Sequence, residues 1–257
     1  MGVLLAKRHA LVTGGGTGIG AAIAKALALE GAAVSLAGRR KAPLDEVAGG
    51  LPKAKAIVTD VTREADCRAM VEAARSAYGP LDIVVANAGM VESAPFKKID
   101  LAHWQHSIDV NLTGAFLTVR AAVVDLTRDA PSEGRRIVFI ASTAGLKGYA
   151  YVAAYCAAKH GVIGLARALG IELAATGVTV NAICPGYTDT PMLQVAAGNI
   201  AAKTGRSAAE ARAAFAADNA HGRLITPEEV AQKVLWLCSP AAASINGQAI
   251  EVAGGAE

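Results

Sequence analysis

Hydrophobic and polar positions fall into two kinds of block along this chain. Short runs such as "HALVTG", "AAVSLAG", "AKAIVTD", "LDIVVANAG", "RIVFIAS", "VTVNAICPG" and "QAIEVAGG" are apolar almost without interruption, which suits strands buried on both faces rather than strands with one wet face. Between them lie segments of helical period, near 18–30, 41–49, 63–78, 100–128, 150–175 and 226–239. Parallel neighbours need a crossover, and the crossover is right-handed. The pattern therefore predicts an α/β fold: one doubly wound parallel sheet of about seven strands with helices on both faces. Nothing reads as a linker or an internal repeat, so residues 1–257 are expected to form a single domain. One segment breaks the alternation. Residues 189–222 are Ala-rich and punctuated by Gly198, Gly205 and Gly222, and are expected to be either a lid over a ligand or a helical pair packed on the edge.

Composition narrows the function classes. Apolar residues make up 53% of the chain, charged residues 18%, and the net charge is +3. The basic residues are scattered, with short pairs at Arg39-Arg40, Lys97-Lys98 and Arg135-Arg136, so neither a nucleic-acid groove nor a membrane-surface patch is expected. Cys67, Cys156, Cys184 and Cys238 are widely spaced and are read as reduced thiols rather than a zinc or redox motif. His9, His103, His106, His160 and His221 show no metal-ligand spacing. The first apolar run is too short for a signal peptide, and no run approaches a membrane span. A cytoplasmic protein without a metal is the expectation.

The first strand runs into "TGGGTGIG", where Gly14, Gly18 and Gly20 follow a GxxxGxG spacing. Glycines allow a tight turn and close approach to a pyrophosphate, and the helix that follows offers free N–H groups to it. With a strand before and a helix after, the loop points to a dinucleotide. The second strand ends "LAGRRK". Gly38 stands where an acid would bind the ribose of NAD, and Arg39 offers a guanidinium suited to a 2′-phosphate, which argues for NADP(H) over NAD(H); the alternative is that Arg39 and Arg40 merely begin a solvated helix. Asp60 is expected at the adenine amino group, with Asn87 and Gly89 of "ANAG" against the adenosine; each of these could instead cap a turn.

Tyr155 and Lys159 are four apart in "YCAAK" and share one helix face. An ammonium placed there stabilises a phenolate and draws the tyrosine pKa down toward working pH. Ser142 ends the strand "RIVFIAS", at the carboxyl edge where doubly wound sheets bind ligands.

Taken together, "TGGGTGIG", "NAG", Asn111 in "DVNLTG", Ser142 with "YCAAK", and "CPGYTDTP" follow in the order and spacing of the short-chain dehydrogenases/reductases, and the resemblance covers almost the whole chain. It implies a Rossmann fold and an NAD(P)-dependent oxidoreductase acting on a secondary alcohol or ketone. It further implies that Tyr155 is the general acid/base and that Lys159 lowers its pKa and binds the nicotinamide ribose. Ser142 would orient the substrate oxygen, Asn111 would hold a relay water, and Thr188 would contact the carboxamide. Thr17, Ile19, Val61, Ala88, Pro185 and Gly186 are the remaining cofactor positions it suggests. Two departures are Ala86 in place of the usual first Asn of "NNAG", and Ala253 in place of a common acid.

The substrate pocket is expected to include Met90, Val91, Glu92, Thr143, Ala144, Leu146, Tyr149, Val152 and Tyr187. These are mostly apolar, and "GYAYVAA" carries no cation for a small free carboxylate. The carboxyl-terminal half resembles reductases of 3-oxoacyl thioesters and polyketides. A 3-hydroxyacyl or 3-oxoacyl thioester, carried on CoA, is therefore the expected substrate, with Lys147, Lys203 and Arg206 as candidates for a carrier's phosphates. The alternatives are a dehydrogenase of a cyclic or steroid-like alcohol and, in another class, a dinucleotide-binding regulator without turnover. The family's habit of pairing through the helices near 100–128 and 150–175 implies a homotetramer or homodimer.

Overall fold

A computed structural model describes residues 4–131 and 133–255, without the side chain of Lys203; the ends of the expected 1–257 domain lie outside the described residues. Seven parallel strands form one sheet: β1 (His9–Thr13), β2 (Ala33–Gly38), β3 (Ala54–Val58), β4 (Ile83–Ala86), β5 (Arg136–Ile140), β6 (Thr179–Pro185) and β7 (Ala249–Val252). Their spatial order is β3-β2-β1-β4-β5-β6-β7. The chain runs outward from β1 to β3, then returns to place β4 on the other side of β1, and the crevice at that reversal is where such sheets receive ligands.

The helices are α1 (Gly18–Leu29), α2 (Lys41–Gly49), α3 (Glu64–Tyr78), α4 (Leu101–Ile108), α5 (Gly114–Leu126), α6 (Ala153–Glu172), α7 (Pro191–Thr204), α8 (Ala208–Ala217) and α9 (Pro227–Leu237). Successive strand residues face opposite sides, so the uninterrupted apolar runs feed two cores. Leu11, Val84 and Phe139 pack with α3, α5 and α6, whereas Val12, Val85 and Val138 pack with α1 and α9. The doubly wound sheet read from the hydrophobic blocks is the fold observed.

Three features differ from the sequence reading. The helix expected over 100–128 is interrupted by a π-helical turn, Asp109–Thr113, between α4 and α5. The helix expected from 150 starts at Ala153, after Tyr151, whose φ of +67° is incompatible with a helix. The Arg135-Arg136 pair is buried. Arg135 donates to Leu126 O at the end of α5, and Arg136 to Leu237 O at the end of α9, at 3.3 and 3.0 Å; two guanidiniums thus satisfy carbonyls at negative helix termini. Burial lowers the pKa of both. Among the described residues, Leu101–Leu126 is the one helix long and apolar enough, by length and composition, to cross a membrane, contrary to the expectation that no run would reach that length. Asp109 and Arg120 interrupt it in sequence, and half of its apolar stretch is buried inside the fold.

Candidate active site

The glycine loop is shaped by groups at the ends of β1 and β4. Thr13 is fully buried, and its hydroxyl accepts the N–H groups of Asn87 and Ala88 at 3.0 and 3.1 Å. Asn87 returns its amide to the loop, donating to Thr13 O at 2.8 Å and Gly14 O at 3.4 Å. Gly14 and Gly18 have φ of +65° and +52°, and a Cβ on Gly20 would stand 2.2 Å from Gly14 O. The loop is therefore a backbone-lined cradle with no room for side chains, as a pyrophosphate requires. Thr17 starts α1 in extended conformation without a side-chain cap, while Ile19 and Ala88 turn toward the two cores. Asn87 is thus a brace of the loop, and Thr13, the first residue of "TGGGTGIG", was given no role in the sequence reading. A hydroxyl closing an otherwise apolar strand was its one signal.

At the ends of β2 and β3, Arg39 is exposed. Asp60 Oδ1 accepts both the N–H and the hydroxyl of Thr62, at 3.0 and 2.8 Å. Its carboxyl is held below the usual range chiefly by the Thr62 N–H, with the Arg39 charge contributing. One Asp60 oxygen therefore closes a turn, and Arg39 lies close enough to be felt by it. Val61 points into the core, since a Cβ on Gly114 would meet its Cγ2 at 2.7 Å.

The chemistry-bearing side chains converge at the carboxyl edge of β4, β5 and β6. The π turn carries Asn111, which is buried; its Oδ1 accepts from Met90 N at 3.1 Å and its Nδ2 donates to Ser107 O at 3.0 Å. A Cβ on Gly89 would lie 2.9 Å from Asn111 Oδ1 and 3.6 Å from Lys159 Nζ. On α6, Lys159 is buried, donates to Ile140 O at 2.8 Å, and lies 5.5 Å from the Tyr155 ring centroid. Ser142 follows β5 in extended conformation, with Oγ accepting from Ala144 N at 3.1 Å and hydrogen-bonded to Tyr155. Asn111, Ser142, Tyr155 and Lys159 thus form one cluster.

Burial dominates the electrostatics of the pair. Burial pushes Tyr155 up to about 12, partly offset by the Ser142 hydrogen bond, and drops Lys159 to about 8. Lys159 is buried and Tyr155 half-buried; desolvation drives each toward its neutral form, while the bond from the ammonium to the Ile140 carbonyl works the other way by favouring the charged lysine.

The wall facing Tyr155 is aromatic. Tyr187 follows β6, stacks on Phe215 of α8 at 4.8 Å, and meets Tyr149 edge-on at 6.0 Å. Tyr149 shares a 2.9 Å hydrogen bond with Thr143, and the Lys147 ammonium lies 5.2 Å above its ring. Val91 and Val152 are half-buried beside the site, whereas Ala144 is buried and contributes its N–H to Ser142. Pro185 ends β6, and Thr188 turns its hydroxyl back to Gly186 O at 3.0 Å. The 189–222 segment is a pair of helices, α7 and α8. Thr190 packs over Gly18, and Arg212 makes a bidentate pair with Asp189 at 2.6 and 2.5 Å. Arg206 is exposed in the α7–α8 turn, and the Lys203 side chain lies outside the described residues. Phe215 lies in the 189–222 segment expected as a lid, but its alanine-rich sequence did not single that residue out. No cluster of three or more His, Cys, Asp or Glu is placed to hold a metal among the described residues.

Comparison with known proteins agrees with this geometry. A family profile described as short chain dehydrogenase matches residues 8–200. The chain is 40% identical over 252 residues, covering 96% of each, to a protein of Streptomyces virginiae named for ketoacyl reduction in the monensin polyketide synthase. It is also 40% identical to cis-4-hydroxycyclohexanecarboxylate dehydrogenase of Sinomonas cyclohexanicum, covering 99% of this chain and 98% of that one. A crystal structure of a single-residue variant of actinorhodin polyketide ketoreductase with NADPH superimposes with a TM-score of 0.90 at 37% identity, covering 96% of each chain. The chain belongs to the short-chain dehydrogenase/reductase family, the NAD(P)-dependent oxidoreductases that act on CH–OH groups.

Proposed function

We propose that this protein is an NADP(H)-preferring reductase that interconverts a 3-oxoacyl thioester and its 3-hydroxyacyl form. The observation that carries the reading is the convergence of Ser142, Tyr155 and Lys159 beside Gly89 and Asn111. The bound dinucleotide supplies a hydride to the substrate carbon or accepts one from it. The protein manages the oxygen. Ser142 donates to it, and the Tyr155 phenol, neutral at pH 7 with its pKa near 12, delivers a proton as negative charge builds there. Lys159, with a pKa near 8, holds a proton it can release to restore the phenol. Asn111 Oδ1 keeps a second lone pair for the relay water.

The preference for NADP(H) rests on Arg39 at the end of β2, with no acid on that strand end, and on the NADPH of the related ketoreductase. The thioester rests on the relatives named for ketoacyl reduction and on the aromatic wall. The cyclohexanecarboxylate relative supports a cyclic alcohol as second reading. The α7–α8 pair serves as the lid. Exposed Leu101, Trp104, Phe116 and Val124 on α4 and α5 offer the face for a homodimer or homotetramer.

The test is oxidation of NADPH, beside NADH, with acetoacetyl-CoA, free acetoacetate and cyclohexanone, with Tyr155→Phe as the blank. Turnover of the thioester with NADPH, lost in Tyr155→Phe, is the expected result. Turnover of cyclohexanone alone would replace the thioester with the cyclic substrate. Near-normal rates in Tyr155→Phe would remove the proton-transfer role.

A further inference from the structure

Asn219, just beyond α8, has no part in any motif of the chain, yet it is 2% exposed. Its amide clasps the backbone of Tyr187 on both sides. Oδ1 accepts from Tyr187 N at 2.9 Å, and Nδ2 donates to Tyr187 O at 2.9 Å and to Arg223 O at 2.7 Å. Both donors and the acceptor are therefore spent on backbone, as an adjoining strand would spend its own groups. The clasp also explains a glycine: a Cβ on Gly186 would lie 2.4 Å from Asn219 Oδ1, so any side chain at 186 expels the amide.

Tyr187, under this clasp, lies near enough to Tyr155 for the charge of one to be felt by the other. Elsewhere the stretch is held by Gly186 N to Val252 O at 3.0 Å, Ile225 N to Tyr187 O at 2.9 Å and Asp189 N to Ile225 O at 2.8 Å. Among the described residues, Asn219 alone links the exit of the α7–α8 pair to the Tyr187 peptide by a side chain, and it does so next to the Phe215–Tyr187 stack. We propose that Asn219 is a positioning residue for the reaction: it fixes the Tyr187 wall and the neighbouring Thr188 relative to Tyr155, and ties that geometry to the seating of α8. Without it, Tyr187 N–H loses its partner and the peptide is held only through the Gly186 and Tyr187 carbonyls, which loosens the placement of the ring against the substrate.

This inference rests on the proposed function for its kinetic consequence, but not for its structural one. The experiment compares wild type, Asn219→Ala, Asn219→Asp and Gly186→Ala. NADPH binding is measured by fluorescence, reduction of whichever of acetoacetyl-CoA or cyclohexanone wild type turns over is followed with NADPH and its 4-deuterated form, and hydrogen exchange is measured over 185–190. Asn219→Ala is expected to bind NADPH stoichiometrically within threefold of wild type. Its kcat/KM should fall at least tenfold, its deuterium isotope effect should rise, and exchange should speed up at 185–190 but not in β1 or β4. Asn219→Asp keeps the acceptor but loses both donors, and should fall between. Gly186→Ala should match Asn219→Ala, with the double variant no worse than either. A kcat/KM loss that merely tracks the fraction able to bind NADPH, with an unchanged isotope effect, would overturn the proposal. If wild type reduces neither ketone, the proposed substrate readings fail, and exchange then decides: unchanged protection at 185–190 in Asn219→Ala sinks the clasp, and selective loss there upholds it.

Discussion

Substituting Gly20 by Ala is the sharpest probe of the glycine cradle. The added Cβ would stand 2.2 Å from Gly14 O and 2.6 Å from Asn87 Nδ2, against 3.4 Å for an ordinary contact, so the backbone of Gly14 has to retreat by roughly 1 Å. It is a backbone atom in a turn with positive φ, not the far end of a flexible side chain, so the strain has no easy outlet. Overpacking of this kind costs about 1–3 kcal/mol. Displacing the Asn87 amide from Thr13 O adds about 1–3 kcal/mol for an unmade hydrogen bond in a closed site. If about 2 kcal/mol of this total appears in cofactor binding, the dissociation constant rises about thirtyfold. The paired control is Gly49→Ala near the end of α2, where nothing lies within 4 Å of the new Cβ and a gain of about 0.5–1 kcal/mol is expected from the stiffer helix. NADPH titration by fluorescence and urea denaturation of both variants provide the assay. A Gly20→Ala protein that binds NADPH within threefold of wild type, with an unchanged denaturation midpoint, would refute the cradle reasoning.

Arg39→Asp should weaken NADPH binding and improve NADH binding; equal NADPH affinity in titrations of the variant would show that Arg39 is only surface charge. Thr226→Ala removes the capping box that Thr226 and Glu229 form at the start of α9, and should cost about 0.5–2 kcal/mol in denaturation midpoint without altering NADPH affinity. The pH dependence has a definite sign. The folded pKa of Lys159, near 8, lies below its ordinary 10.5, so between those values the unfolded chain holds the proton and stability rises with pH across that window. The folded pKa of Tyr155, near 12, lies above its ordinary 10.0, so its contribution falls as pH rises past 10. Denaturation midpoints of wild type minus those of Lys159→Met should rise from pH 8 to pH 10, and a flat difference would contradict the burial of a charged Lys159.

The sheet was legible because its strands are buried on both faces, which leaves runs such as "DIVVA" without a polar interruption. The cradle was legible because only glycine tolerates positive φ and close backbone approach, so its residues are conspicuous one by one. The residues that escaped act through backbone partners distant in sequence. Thr13 reaches residues 87 and 88, Asn219 reaches 187, and Arg136 reaches 237; an amide or guanidinium bonded to a remote carbonyl leaves no local pattern. The π turn at Asp109–Thr113 was invisible for a related reason: a one-residue shift in hydrogen-bond register leaves the hydrophobic period almost intact, although it is the turn that presents Asn111. The Tyr155–Lys159 spacing was read correctly as a shared face, but spacing carries no dielectric, and the sign of the pKa shift came from burial.

That sign bears on direction. A preformed phenolate–ammonium pair would serve alcohol oxidation, where a base must take the hydroxyl proton. Here the surroundings favour the neutral phenol, with a pKa near 12, while the neighbouring ammonium, near 8, is the more readily released acid. At pH 7 the free protein therefore holds a proton on both groups, with the easier proton on Lys159 and the harder one on Tyr155. Protonation of a developing alkoxide by Tyr155 is then followed by a downhill transfer from Lys159, and nothing has to be deprotonated first. In the proposed mechanism these protonation states suit the proton delivery of ketone reduction near neutrality. Its rate should hold steady below pH 8 and decline above it as Lys159 loses its proton, while alcohol oxidation should gain over the same range. A reduction rate that instead climbed from pH 7 to pH 9 would mean that the phenolate, not the phenol, is the working form.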